Sequence, residues 1–220
     1  MSQDQMIELK TDRSRLRRAH ERGSYDRATL YSVLDAMPLA HISYVMDGKP
    51  SQLPTLQWRE GDHVYWHGSA ASRALRAMEG KDVCLSVTMM DGYVLARSAM
   101  HHSANFRSAM VFGVAEKVMD EAAKAARLKA MVDSILPGRW DSLRAMNDQE
   151  LKATAVMRIP IEEASAKIRS GGPKDDEEDY ALPIWAGVVP MQTVLQPPVP
   201  DDRNLDGVAM PDHLSRIRIG

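Results

Sequence analysis

The sequence has little cysteine, no excess of charge of either sign and no long apolar run. Cys84 is the single cysteine among 220 residues, which excludes an internal disulfide framework and a multi-thiolate metal site. Lys and Arg number 28 against 30 Asp and Glu, which excludes a strongly basic nucleic-acid binder. No stretch approaches the roughly 18 apolar residues of a membrane span, and the N-terminus lacks the apolar core of a secretory signal. We therefore expect no nucleic-acid or membrane partner, and a reducing cytoplasm as the compartment.

The common catalytic motifs are absent as well. There is no HExxH pattern and no Cys/His cluster, so we predict no metal site. There is also no GxGxxG loop, no Walker loop and no GxSxG elbow. Cys84 lies in the apolar run VCLSVT and is expected to be a buried, unreactive side chain. Composition and common motifs alone therefore indicate only a globular domain with an ordinary core.

What the chain does contain is a series of short strand-like runs with a few helical patterns. Strands are predicted for LAHISYVM, SQLPTLQW, HVYWH, DVCLSVTMM, YVLARSA, NFRSAMVFGVAEKVM, TAVMRIPI and LPIWAGVVPM. Helices are predicted after the caps Asp26, Ser69, Asp120 and Asn147, and over EEASAKI. Asp47-Gly48 and Asp91-Gly92 are expected to be hairpin turns. Six to eight strands without regular strand–helix alternation predict an antiparallel β-barrel with peripheral helices.

The stretch YWHGSAASRAL, residues 65–75, is the most informative for function. A strand is predicted to end at His67, Gly68 allows close approach of the backbone, and Ser69 is expected to open a helix. Ser72 and Arg73 would follow in its first turn. Two hydroxyls and a guanidinium beside unpaired backbone N–H groups suit a phosphate. A serine-capped helix with a surface arginine is the structural alternative.

Two further stretches are candidates for holding a flat ligand. In HHSANFRSAMVFG, the polar residues Asn105, Arg107 and Ser108 directly precede an apolar strand. In LPIWAGVVP, Trp185 is close to Gly187, so its ring could lie against an aromatic group. An ordinary loop-to-strand junction and a core tryptophan are the structural alternatives.

Together and in this order, these stretches resemble the flavin-binding split β-barrel family of pyridoxamine 5′-phosphate oxidase. The resemblance is greatest to its flavin-nucleotide-binding and nitroimidazole-resistance-like branch. The segments that carry it are ERGSYDRATLYSVLDA, PTLQWREGDHVYWHGSAASRAL, VCLSVTMMDGYVLARSAMHHSANFRSAMVFG, PGRW, ELKATAVMRIPIEEASAKIRSG and DDEEDYALPIWAGVVP. The resemblance implies a mainly β fold, a split antiparallel β-barrel of the FMN-binding type. It also implies a homodimer that holds FMN at the interface.

Residue by residue, the resemblance implies the following site. HGSAASR resembles the segment that binds the FMN phosphate, which points to His67, Gly68, Ser69, Ser72 and Arg73. Pro54, Thr55 and Leu56 resemble the strand that runs along the flavin ring. Ser108 falls where the oxidases keep a ring-facing glutamine. Trp185 resembles a tryptophan that reaches the flavin of the partner chain.

The chain also departs from the true oxidases. Ala74 stands where they have a basic residue directly after the arginine, and Ser108 replaces their glutamine. The C-terminal arginine and histidine that hold their substrate have no counterpart after Trp185. Pyridoxamine 5′-phosphate oxidation is therefore not expected.

Three functions remain open at this stage. The first is an FMN-dependent oxidoreductase that passes electrons from a nicotinamide cofactor or another donor to a small molecule such as a nitro compound, with His67 as the candidate for proton delivery. The second is a flavin- or haem-binding protein without turnover, in which His67 or the pair His101-His102 serves as axial ligand. The third is a deazaflavin-dependent reductase.

We predict an N-terminal arm over 1–24, the barrel over 25–195 and a C-terminal tail over 196–220.

Overall fold

The computed structural model describes residues 9–219 and contains ten strands and four α-helices within that range. The strands are β1 (Gly23–Ser24), β2 (Leu39–Met46), β3 (Lys49–Glu60), β4 (His63–Ser69), β5 (Asp82–Leu95), β6 (Ser103–Val114), β7 (Glu116–Lys117), β8 (Thr154–Pro160), β9 (Glu163–Arg169) and β10 (Gly187–Pro190). The helices are α1 (Arg27–Ala36), α2 (Arg73–Met78), α3 (Glu121–Ile135) and α4 (Asp148–Ala153).

All the strands pair antiparallel in one curled sheet. The order is β1-β9-β6-β5-β2-β3-β4-β8-β7, and β10 pairs with the end of β5. β8 and β9 are separated by only two residues, yet β8 pairs with β4 and β9 with β6. The chain therefore joins the two sides of the sheet there. Gly113 of β6 lies against β8 at this closure, because a Cβ built on it would come 3.6 Å from Ile159 and Pro160. The curled sheet confirms the predicted mainly β, split-barrel fold.

Strict alternation along the strands builds the core inside the curl. Ala40 and Ile42 of β2, Trp66 of β4 and Leu85 of β5 are completely or almost completely buried. Helix α1 covers one opening of the curl with Leu30, Val33 and Leu34. Gln57 attaches the end of α1 to β3. Its buried Nε2 donates to the carbonyl oxygens of Leu34 and Met37, each at 2.7 Å.

A second apolar cluster lies on the outer face of β3, β4 and β8, beneath helix α3. It consists of Trp58, Tyr65, Val156 and Leu128. The Trp58 and Tyr65 rings stack with their centroids 5.6 Å apart. Helix α3 therefore covers the outer face of the sheet at this end, whereas Leu39 and Leu56 on the same face are exposed.

Capping chemistry predicted the helix starts well. Asp26 accepts a hydrogen bond from the Thr29 N–H at 2.8 Å, and Asp120 accepts one from the Ala123 N–H at 2.7 Å. Asn147 and Glu150 form a reciprocal capping box at α4. The predicted starts of α1, α3 and α4 are therefore confirmed.

Two predictions of local structure are wrong. EEASAKI is the strand β9 rather than a helix, because pairing with β6 on one side and β1 on the other outweighs the helix preference of Glu, Ala and Lys. Asp91-Gly92 is a bulge within the single long strand β5 rather than a turn between two strands. β10 passes directly alongside this bulge, and a Cβ on Gly92 would come 2.7 Å from the Val189 carbonyl oxygen. In addition, Cys84 is half-buried on the outer face rather than fully buried.

The two ends of the chain behave differently. Residues 9–24 are packed onto the sheet rather than loosely attached as predicted, with Leu9 buried in the core and Arg13 paired with Glu163. The first eight residues of the predicted arm lie outside the described range, as does residue 220. The predicted tail, as far as residue 219, is largely exposed and has one short 3-10 helix, Asp212–Arg216. Among the residues described, no helix has the length and apolar character needed to cross a membrane.

Candidate functional site

The strands β3 and β4 separate at the segment that the sequence singled out. They pair from Gln57 opposite Trp66 to Glu60 opposite His63. Before Gln57, β3 pairs only with β2, and after Trp66, β4 pairs only with β8. The two strands therefore diverge beyond this pair, and we call the gap between Pro54–Leu56 and His67–Ser69 the cleft. The structure thus brings these two groups of predicted site residues to a single place.

His67 lies at the start of this cleft, on the outer face of β4. Its neighbour Trp66 points into the core and is completely buried, so the alternation of the strand turns His67 outward. The imidazole is half-buried near Trp58, with ring centroids 6.3 Å apart. Its Nδ1 is buried and has no hydrogen-bond partner among the described residues. Burial lowers the pKa of His67 below its ordinary value, so the ring is neutral at neutral pH and keeps a lone pair available.

In the predicted phosphate segment, the helix begins three residues later than expected. Ser72, and not Ser69, is the N-cap, and α2 has only six residues. Ser69 is still in β4, because its pairing with Thr154 continues the strand. The Arg73 side chain is 74% exposed, and its Nη2 lies 3.4 Å from Asp47 Oδ2. Because the helix is short, anion binding here would depend on the Ser72 hydroxyl and the Arg73 guanidinium rather than on a helix dipole.

On β6, two predicted residues are occupied by contacts within the protein. The buried amide of Asn105 donates to the Gly171 carbonyl oxygen at 3.1 Å and accepts from Arg169. Arg107 makes two hydrogen bonds to Asp91, at 3.0 Å and 2.8 Å. Both side chains thus hold the β5 bulge and the chain after β9 in place. That they contact a cofactor stays a prediction.

Ser108 and Trp185 lie elsewhere on the molecule. Ser108 is half-buried on the outer face of β6, opposite Thr88 of β5. Trp185 precedes β10 and is 69% exposed, with its ring over Gly187, where a Cβ would come 2.9 Å from the ring. β10 pairs with β5, so the strands β5, β2 and β3 separate it from β4 in the order of the sheet. A predicted contact of Trp185 with a partner's cofactor stays a prediction.

His41 is a candidate that the sequence motifs missed. It is half-buried on the outer face of β2, directly between Pro54 of β3 and Ser86 of β5. Leu39 and Leu56 pair with each other on the same face and are 46% and 42% exposed. The alternation of LAHISYVM, with Ala40 and Ile42 turned inward, was the signal that could have placed His41 on this face.

The alternative histidines have different surroundings. His101 Nδ1 lies 3.8 Å from Asp175 Oδ1, and these two with Asp179 form the only metal-like group among the described residues. Asp175, however, already accepts from Arg97, through the backbone N–H and the guanidinium, both at 2.9 Å. His102 is exposed and its Nδ1 lies 2.9 Å from the Ser98 carbonyl oxygen. The cluster is thus an ion pair that attaches the segment after β9 to the loop after β5.

Comparison with known proteins agrees with the observed fold. The family model for pyridoxamine 5′-phosphate oxidase matches residues 26–168. The flavocytochrome Anf3 from Azotobacter vinelandii is 50% identical, with a TM-score of 0.93 over 96% of this chain and 98% of that one. The FAD and haem binding protein from Mycobacterium smegmatis is 37% identical, with a TM-score of 0.86 over 90% and 97%.

A more distant structure shares the fold alone. It is a 5-nitroimidazole antibiotic resistance protein from Bacteroides thetaiotaomicron, 18% identical, with a TM-score of 0.55 over 66% of this chain and 86% of that one. A search of curated protein sequences found no match. The family match, which covers more than half of the chain, and the two similar structures lead to one conclusion: the chain belongs to the pyridoxamine 5′-phosphate oxidase family of split-barrel proteins.

Proposed function

We propose that this protein binds a flavin nucleotide and a haem and works as a redox protein. The observation that carries the proposal is His67, a neutral, half-buried imidazole at an apolar cleft whose Nδ1 has no partner in the described part of the chain. The similar structures support it, since one is named a flavocytochrome and another an FAD and haem binding protein. A haem supplies one-electron chemistry when bound, and a flavin exchanges one or two electrons.

The residues around His67 fit a haem. A haem needs a neutral imidazole nitrogen and apolar surfaces for its flat ring. Leu56 exposes an apolar side chain on the same outer face as His67, whereas Trp58 is buried beneath α3 and supports the imidazole from the protein side. We therefore propose that His67 would bind the haem iron, in preference to His101 beside Asp175 and to the exposed His102. In that role the ring would orient the iron and would not be free to deliver a proton.

The residues after His67 fit the phosphoryl end of a flavin nucleotide. Ser72 and Arg73 follow the cleft strand β4 closely in sequence, and the Arg73 guanidinium is exposed with Asp47 as its neighbour. The unpaired edge of Pro54–Leu56 offers backbone groups to a ring. The sequence predicts FMN, whereas the Mycobacterium relative is named for FAD. Release of the flavin by acid and chromatography distinguishes the two.

We also propose that the protein is an oxidoreductase that accepts electrons from a nicotinamide cofactor. Reduction by NADH or NADPH tests this. Under anaerobic conditions, NADH or NADPH added to the purified holoprotein should bleach the flavin absorbance and then sharpen the haem bands, as dithionite does. If dithionite reduces both groups but neither nucleotide does so within minutes, the nicotinamide donor is wrong, although cofactor binding stands.

We further propose that the outer face of the sheet pairs with a second copy of the chain, as the family resemblance implies. Several large apolar side chains on this face are exposed: Leu39 46%, Val45 60%, Leu56 42% and Met110 39%. Single exposed apolar residues need no explanation, but several on one face of a sheet favour an interface. A second copy would also cover one side of the cleft.

Light scattering tests the dimer. The wild-type mass should be about twice the 24.5 kDa of the chain, and Met110→Glu should reduce it to a monomer because a buried carboxylate opposes association. Met119→Glu is the matched control, since Met119 is 72% exposed and lies outside the sheet. A monomeric wild type, or a dimer that Met110→Glu leaves intact, would contradict this interface.

A further inference from the structure

The N-terminal segment before α1 concentrates positive charge around a cavity. Residues 10–22 contain six Lys and Arg against two acidic residues, in a chain whose formal charge is −2. The segment encloses a cavity of about 470 Å³ lined by Lys10, Arg15, Leu16, Arg17, His20 and Tyr25. This cavity is separate from the cleft between β3 and β4, and the proposed flavin and haem sites do not use its residues.

The segment is held at both ends, so the cavity is formed without a ligand. Leu9 is buried, and its carbonyl oxygen accepts hydrogen bonds from the Ala164 N–H at 3.0 Å and the Ser14 hydroxyl at 2.9 Å. At the other end Gly23 pairs with Lys167 of β9. Because the backbone is attached to β9 on both sides, the loop that carries these side chains is in place before an anion binds, which lowers the entropic cost of binding.

Tyr25 contacts two other residues that line the cavity, Leu16 and Lys10. Its hydroxyl oxygen accepts from the Leu16 N–H at 2.7 Å, which fixes the loop. The Lys10 ammonium lies 5.3 Å from the centre of the Tyr25 ring. The loop then passes through Ala19, whose backbone is left-handed with φ 51°. A left-handed backbone is unfavourable for a non-glycine residue, so the surrounding contacts must impose it.

Charge distinguishes this cavity from the others. Its described lining has three cationic side chains and a histidine, and no carboxylate. Four other cavities, of about 350 to 480 Å³, each include an acidic residue, namely Asp35, Asp201, Asp91 and Glu150. The ion pairs of the N-terminal segment use Arg13 and Arg22, which do not line the cavity. Cations that converge without a counter-charge repel each other unless an anion lies between them.

We infer that this cavity binds a phosphoryl anion of a nucleotide. Arginine forks match phosphate oxygens, and Lys10 adds a point charge. The volume is within the range of small-ligand sites. The anion could come from the diphosphate of the bound flavin nucleotide or from a free nucleotide, and the chemistry is the same in both cases. The inference does not depend on haem binding, and if the anion is the flavin's own diphosphate, this cavity rather than Ser72 and Arg73 holds it.

The test uses Arg15→Gln/Arg17→Gln, with Lys81→Gln/Arg203→Gln as the control. The control removes the same charge at two exposed positions outside the cavity. Inorganic pyrophosphate is titrated calorimetrically into each holoprotein, and the flavin dissociation constant is measured for each. Circular dichroism verifies that all three proteins fold.

Two results support the inference and identify the source of the anion. If pyrophosphate binds the wild type and the control alike but the cavity variant at least about tenfold more weakly, the site takes a free phosphoryl anion. If pyrophosphate does not bind but flavin affinity falls at least about tenfold in the cavity variant alone, the site holds the flavin's own phosphoryl group. Equal pyrophosphate and flavin affinities in the control and cavity variants would overturn the inference.

Discussion

The variant His67→Ala is expected to lose the haem Soret band while it keeps its flavin absorbance. His67 offers a neutral imidazole whose buried Nδ1 has no partner in the described chain, at a cleft bordered by apolar side chains. Removal of the ligand leaves the iron without its attachment at this face, and alanine cannot replace it. The measurement is the visible spectrum of purified protein after haem addition. Added imidazole should restore part of the band.

His63→Ala is the matched control for this experiment. His63 lies on the same strand and the same outer face, it is half-buried, and burial likewise lowers its pKa. It lies at the other end of β4, next to the turn, and is therefore expected to keep a normal Soret band. If His67→Ala binds haem as the wild type does, or if both variants lose it equally, His67 is not the axial ligand.

The variant Arg73→Ala is expected to weaken binding of the flavin nucleotide by roughly 10- to 100-fold. A hydrogen bond to a charged group contributes about 1.5–3 kcal/mol, which corresponds to that range of affinity. Ser72→Ala should act in the same direction with a smaller effect, since its hydroxyl is neutral and also caps α2. The measurement is the dissociation constant of the apoprotein for FMN and for FAD, by fluorescence quenching.

Two comparisons make this prediction specific to the phosphoryl group. Arg76→Ala is the control variant, because Arg76 is an exposed arginine of the same short helix, one turn further on. Riboflavin is the control ligand, because it has the ring without the phosphate. Arg73→Ala should leave riboflavin affinity unchanged. An equal loss for riboflavin, or an unchanged affinity for the nucleotides, would show that Arg73 does not bind the phosphoryl group.

The sequence predicts most of the fold because many of its signals are local. Asp26, Asp120 and Asn147 begin helices because their side chains accept hydrogen bonds from backbone N–H groups three residues later. The alternation in LAHISYVM matches β2 residue for residue. β9 could not be recognised in this way, since only its neighbours β1 and β6 make EEASAKI a strand. The short α2 starts at Ser72 for a similar reason, because pairing with β8 carries β4 through Ser69.

In the candidate site too, the features set by local sequence could be predicted, whereas those set by distant strands could not. The sequence was enough to infer that Pro54–Leu56 and His67–Ser69 lie near each other, because they flank the paired part of one hairpin, from Gln57 opposite Trp66 to Glu60 opposite His63. The separation of the two strands depends on β8, which pairs with β4 from a distant part of the chain. The pairing of Arg107 with Asp91 depends on the bulge of β5, which no motif indicates. His41 needed the neighbouring strands β3 and β5 before its place on the outer face had meaning.

Whether one chain holds both a flavin and a haem is tested most directly by the content of each group in purified protein that has been supplemented with both. The measurement combines the visible spectrum with acid release of the flavin and a pyridine haemochrome assay, each divided by the protein concentration. We expect about one flavin and one haem per chain in the supplemented protein. A colourless protein that takes up neither group when they are added would contradict it.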